Sequence, residues 1–200
     1  MVDFISLLGI GIGAFAATDI DDLFVLMLFF SQPTFTARQV VLGQYVGIVA
    51  LIAISAVASL ISLVLPAELV ALMGLLPIAI GIKKMIDSRK DEDDDVKDKL
   101  QKTSPRVSYL QFVTVASVTF ANGGDNLGVY VPLFTSGGLN DMAILITIFL
   151  AITGLWCVLA YYLVKHRLLA GKFSRVARTV LPLVLIGLGI FIIVDGLLLA

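Results

Sequence analysis

The sequence is short of the residues that soluble enzymes and thiolate metal proteins rely on. A single cysteine, Cys157, in 200 residues excludes an internal disulfide and any CxxC-type metal site. Its place inside an apolar run makes it a small packing residue. The only histidine, His166, lies in the basic stretch "KHR" and reads as a solvated loop residue. No GxxxxGK[ST] stretch occurs, so no phosphate-cradling loop is present to couple the chain to ATP. Charged residues make up only 14% of the chain and the net charge is -1, which argues against a nucleic-acid partner.

What replaces charge is oil. Hydrophobic residues account for 59% of the sequence, against about 45–50% in a soluble domain. The mean hydropathy is +1.03. The apolar residues come in long runs, and about 20 such residues span a bilayer core of about 30 Å. The composition therefore predicts an all-α integral membrane protein in contact with lipid. The first run has Asp3 where a signal peptide carries basic residues, and it is too long for one, so it reads as a retained first span.

Six transmembrane helices are expected, over residues 4–30, 40–63, 69–86, 110–134, 142–164 and 180–199. Turn signals such as "SQPT", "LPAE" and "TSGGLND" separate several of them. With six spans, connections one–two, three–four and five–six share a side. They hold Arg38, the eight basic residues from Lys83 to Arg106, and the five from Lys165 to Arg178. That is all 14 Lys and Arg of the chain. Cytoplasmic loops carry the basic excess, so both termini are expected outside the cytoplasm of a bacterial plasma-membrane protein. The "DEDDD" run, Asp91 to Asp95, reads as part of a solvated linker.

One short segment occurs twice. "ATDIDDLFVLMLFF" (17–30) aligns with "ANGGDNLGVYVPLF" (121–134) at a shift of 104, so Asp21 meets Asp125, Asp22 meets Asn126 and Thr18 meets Asn122. "GIKKMID" (81–87) likewise matches "GIFIIVD" (189–195), each with Leu-Pro upstream. The chain thus reads as a single transporter domain, 1–200, with repeat one over about 1–87, a charged cytoplasmic loop over 88–108 and repeat two over 109–200. Three spans per repeat set the two copies in opposite orientations, an arrangement that places substrate sites near the bilayer midplane where the repeats meet.

The repeated acids carry the chemistry. A carboxylate inside a membrane costs several kcal/mol unless something compensates it. No Lys or Arg lies in the interior of any span, which leaves protonation, water or a bound cation. Thr18, Asp21 and Asp22 are spaced i, i+3, i+4, and Asn122, Asp125 and Asn126 repeat that spacing, so each set shares a helix face. Asp19 is an acid of the first copy only; its counterpart is Gly123. The Gly123–Gly124 pair weakens the helix beside Asp125, which frees backbone carbonyls as further ligands or simply lets helices pack closely. Gly9/Gly13 and Gly43/Gly47 are small-xxx-small packing pairs. Oxygen donors with this much negative charge suit a divalent ion such as manganese, calcium or magnesium. Asp19, Asp21, Asp22 and Asp125 in one low-dielectric site cannot all stay ionised once the ion leaves, so protons are the natural replacement. Asp87 and Asp195 repeat as a pair near helix ends, either gating the ion path or capping structure.

The paired motifs, on a six-span chain of this length, resemble the bacterial cadmium-resistance transporters, the CadD-type members of the lysine-exporter superfamily. The resemblance covers essentially the whole chain and implies efflux of Cd²⁺, with other divalent ions, across the plasma membrane. It carries the family's acidic motif positions onto Asp19, Asp21, Asp22, Asn122, Asp125 and Asn126, to which the spacing adds Thr18. Where Asp19 stands, the family motif often has Asn, so this chain holds one more charge. No catalytic residue and no cofactor are expected; the metal ion is the transported substrate and the proton a coupling ion, and assembly into a homo-oligomer is left open. Two other classes compete. An amino-acid exporter of the same superfamily would need a cationic partner for the substrate carboxylate. An intramembrane enzyme with paired aspartates would need its acids matched, and the repeat matches Asp22 with Asn126 instead.

Overall fold

A computed structural model describes residues 4–62, 72–73, 75–87, 111–165 and 182–194. All regular structure among them is helical. Helix α1 is Phe4–Thr18, α2 Ile20–Ser31, α3 Ala37–Ser62, α4 Leu75–Asp87, α5 Gln111–Asn122, α6 Gly124–Ser136 and α7 Leu139–Lys165. Helix α8 is Pro182–Val194. The loop 88–108, with the Asp91 to Asp95 run, and His166 and Asp195 lie outside the described residues, as does the side chain of Asp87.

Helices α3 and α7 follow directly from composition. Each carries a long, mostly apolar run, and 26 and 27 residues at about 1.5 Å rise each give about 40 Å, enough to cross a bilayer core. They are the two described helices long and apolar enough to span a membrane. Their outer faces present Leu42, Val46, Val57, Leu155 and Val158 to the surroundings, while Gln44 and Thr153 are buried. Apolar outside and polar inside is the arrangement lipid demands.

The expected spans 4–30 and 110–134 are each interrupted. The first is α1 and α2 with a break at Asp19; the second is α5 and α6 with a break at Gly123. Positions 19 and 123 are equivalent under the 104-residue shift of the sequence motif. Asp19 (φ -98, ψ 13) and Gly123 (φ -80, ψ 23) both lie in the sparsely populated bridge region rather than the helical one. The backbone ladder nonetheless runs on through each break. The Asp19 N–H donates to the Phe15 carbonyl at 2.9 Å, and Leu23 N–H to the Asp19 carbonyl at 3.1 Å. At the second break the Gly123 N–H tightens onto Phe120, at 3.2 Å, and Leu127 N–H donates to the Gly123 carbonyl.

Close helix packing explains the glycines. α3 lies against α5, α6 and α7; α7 also packs on α1 and α2, and α4 on α6. A Cβ on Gly43 would sit 2.5 Å from Val115 Cβ and 2.6 Å from the Phe112 carbonyl, and one on Gly47 would sit 2.7 Å from Thr119. The two glycines thus let the α3 backbone rest on α5, as their spacing predicts. A Cβ on Gly123 would collide with Leu51 of α3, whereas one on Gly124 meets nothing within 4 Å. Gly123 therefore serves both the break and the approach of α3. Gly13 packs on Val184 of α8, but Gly9 faces open space among the described residues. An aromatic group, Phe15, Tyr130, Phe134, Phe149 and Trp156, fills the centre, with Tyr130 and Phe149 ring centroids 4.5 Å apart.

Candidate functional site

The two breaks create two internal helix N-termini, and the acids of the motif sit on them. Asp21 and Asp22 occupy the first turn of α2, and Asp125 that of α6. The positive end of the helix dipole favours a carboxylate there by about 0.3–1 kcal/mol. This is the first compensation for acids buried in oil.

The second is a set of neutral hydrogen-bond donors. Asp19 is 1% exposed. Its Oδ2 accepts from the Tyr130 hydroxyl at 2.6 Å and from Thr18 Oγ1 at 3.1 Å, and its Oδ1 accepts from Asn126 Nδ2 at 2.9 Å. Its backbone carbonyl accepts the Trp156 indole N–H at 2.8 Å as well as Leu23 N–H. Asp22, 3% exposed, forms a second group. Its Oδ2 accepts from Gln44 Nε2 at 2.9 Å and its Oδ1 from Asn122 Nδ2 at 3.2 Å. The Thr119 hydroxyl in turn donates to Gln44 Oε1 at 2.6 Å. Asp125 Oδ1 accepts the Asn126 backbone N–H at 3.1 Å.

Residues predicted from the two motifs therefore meet across the breaks. Asn126 of the second copy bonds Asp19 of the first, and Asn122 bonds Asp22. Thr18 joins the Asp19 group, although its hydroxyl also lies within bonding distance of the Ala14 and Phe15 carbonyls of its own helix. The most deeply buried acids among the described residues are Asp19 and Asp22; Asp21, between them in sequence, and Asp125 of the second motif are half-buried. Among the described residues no three His, Cys, Asp or Glu side chains converge closely enough to hold an ion alone. An ion taken here would draw on amide carbonyl and hydroxyl oxygens as well as carboxylates, a set suited to hard oxygen coordination. The Asp19 carbonyl already accepts both Leu23 N–H and the Trp156 indole N–H, which fills its two lone pairs, and the Gly123 carbonyl accepts Leu127 N–H.

The profile of the cadmium resistance transporter family matches residues 15–198, from the turn before the first motif to the end of the last expected span. The chain belongs to this family. No curated protein and no solved structure matches it. Membership places the protein among membrane carriers connected with cadmium resistance and divalent metal transport, rather than among enzymes.

Four residues of this cadmium resistance family member escaped the sequence reading. Gln44 and Thr119 are fully buried polar groups, and Tyr130 and Trp156 reach into the site from an apolar setting. Gln44 carried a usable signal: it is a polar residue between Gly43 and Gly47 in the middle of an oily run. Tyr130 and Trp156 carried none, because aromatic residues in a span are expected on packing grounds alone.

Proposed function

We propose that the protein is a secondary-active carrier that exports divalent heavy-metal cations, Cd²⁺ first among them, across the plasma membrane in exchange for protons. Thr18, Asp19, Asp21, Asp22, Asn122, Asp125 and Asn126 bind the ion where the two broken helices meet. Two inverted three-helix repeats, six spans in all, carry the site, with both termini extracytoplasmic. The observation that carries this reading is the buried pair Asp19 and Asp22, each bonded by an asparagine from the opposite motif copy. A structural protein has no use for two desolvated carboxylates without a cationic partner, whereas a cation carrier requires them. The recurrence of a helix break at 19 and 123 supports the repeat. The oxygen-rich donor set supports Mn²⁺, Ca²⁺ or Zn²⁺ as additional cargo. An amino-acid substrate is less well served, because Asp19 and Asp22 are met only by neutral donors.

In proteoliposomes an imposed proton gradient is expected to accelerate Cd²⁺ movement, and Asp19→Asn to weaken that acceleration more than it weakens Cd²⁺ binding. Asp22→Asn, Asp21→Asn and Asp125→Asn are each expected to abolish Cd²⁺ resistance in cells lacking their own exporters while the protein still reaches the membrane. Full resistance in all three variants defeats the site. Transport that follows voltage and ignores the proton gradient replaces exchange with uniport.

A further inference from the structure

We infer that Gln44 is a further ligand of the transported cation and that Thr119 is its positioning residue, the Gln44 amide turning over as the ion arrives. The inference rests on the reading that Asp22 takes the cation.

In the empty site an ionised Asp22 can only accept, so both its oxygens draw amide N–H groups, one from Gln44 and one from Asn122. A cation placed against Asp22 meets those same amide nitrogens. They repel it, and Gln44, 1% exposed and walled by α5, cannot withdraw to solvent. Rotation about the last side-chain bond resolves the conflict. It exchanges Nε2 for Oε1 and puts an oxygen ligand where a donor stood.

Thr119 makes the exchange inexpensive. A hydroxyl both donates and accepts. In the empty site it donates to Gln44 Oε1 at 2.6 Å. After rotation it accepts from Nε2 and turns its own hydrogen to the carbonyl four residues back. Thr135, Thr147 and Thr153 of this chain all make that bond, at 2.8 to 2.9 Å. Gln44 thus stays bonded in either pose, and no buried polar atom is stranded. A methyl group in place of the hydroxyl would satisfy neither pose, and a lysine would satisfy only one. Gly43 and Gly47 flank Gln44 and hold the α3 backbone on Val115 and Thr119, which keeps the hydroxyl within reach throughout.

The alternative is that Gln44 merely holds Asp22 in place. The two roles predict opposite signs. If Gln44 only donates to the empty site, Gln44→Leu removes a competitor and Cd²⁺ binds as tightly as before or more so. If Gln44 ligates, Cd²⁺ affinity measured by calorimetry on the purified protein falls at least about tenfold, which corresponds to ~1.4 kcal/mol. Thr119→Val penalises both poses alike, so affinity should stay within about threefold while thermal stability drops with and without Cd²⁺; Thr119→Ser should restore stability. Wild-type protein labelled with ¹³C at the glutamine amide carbons gives an independent measurement. Its infrared carbonyl band is expected to shift on Cd²⁺ addition, and an unmoved band overturns the inference even if Gln44→Leu fails to fold. Asp22→Asn run in parallel separates the two levels: Cd²⁺ binding retained there defeats the site itself, whereas binding lost there but unaffected by Gln44→Leu defeats only the role of Gln44.

Discussion

Removing one oxygen atom, by Tyr130→Phe, should make the site bind its cargo more tightly and export it less well. The Tyr130 hydroxyl donates to Asp19 Oδ2 at 2.6 Å, and the ring is fully buried against Phe149 and Phe134. Phenylalanine keeps the ring and its contacts, so the change isolates a single hydrogen bond. That bond stabilises the empty site, because an arriving cation takes the same lone pair on Oδ2. A bond to a charged partner is worth about 1.5–3 kcal/mol in general. Measured values between membrane helices are smaller, about 0.6–1.7 kcal/mol, because the alternative partners are close by. Asp19 keeps Asn126 and Thr18 as donors, which favours the lower range. Taking ~1.4 kcal/mol, Cd²⁺ affinity should rise about tenfold. Titration calorimetry on purified protein reads that change directly. Tighter binding slows release, so turnover in proteoliposomes and resistance in cells should both decline. Unchanged or weaker Cd²⁺ binding by a folded Tyr130→Phe protein would show that the hydroxyl does not compete with the ion, and the argument would fail at its first step.

The adjacent glycines give a sharp contrast in stability. Gly123→Ala drives a Cβ into buried Leu51 and should lower the thermal midpoint in detergent, overpacking costing about 1–3 kcal/mol; Gly124→Ala meets open space and gains helix propensity of about 1 kcal/mol, so it should be neutral or stabilising. Equal effects would refute the packing account. Gly47→Val should prevent accumulation of folded protein, since its Cβ alone would lie 2.7 Å from Thr119 and 3.1 Å from the Ala116 carbonyl. Normal expression and Cd²⁺ resistance would show that α3 and α5 can separate. For orientation, an impermeant thiol reagent applied to intact cells should label a cysteine at Gly138 and spare one at Ser104; the reverse pattern inverts the protein in the membrane.

How much of this was legible in the sequence depended on the energetic cost of each residue in oil. Asp19, Asp21, Asp22 and Asp125 stood out because a charge there is expensive, and the recurrence of the motif around them, with Asp21 matched by Asp125, pointed to the two segments that now meet through Asn126 and Asn122. The helix breaks were harder to see. Asp19 and Gly123 leave helical geometry for one residue each, too little to disturb a hydrophobic pattern read over many turns. Gly123 hinted at a weak point, but Asp19 did not. Gln44 was overlooked because a buried amide costs less than a buried charge and occurs once, without a partner in the other repeat. The bonds of Tyr130 and Trp156 to Asp19 span more than 100 residues of chain, and no local spacing encodes them.

The contact at Gly43 and Gly47 also decides how the molecule can move. With Val115 Cβ and Thr119 already where a side chain on α3 would begin, sliding α3 along α5 by a turn would bring Gln39 or Leu51, the next residues on the glycine face, against the α5 backbone. Translation along that seam is barred. Rotation about it is not, because glycine leaves a smooth, narrow line of contact. Since α3 lies in the first half of the chain and α5 in the second, the seam joins the halves. In the carrier cycle proposed above, one half would pivot on the other about this seam, and Gln44 and Thr119, lying on it, would travel least.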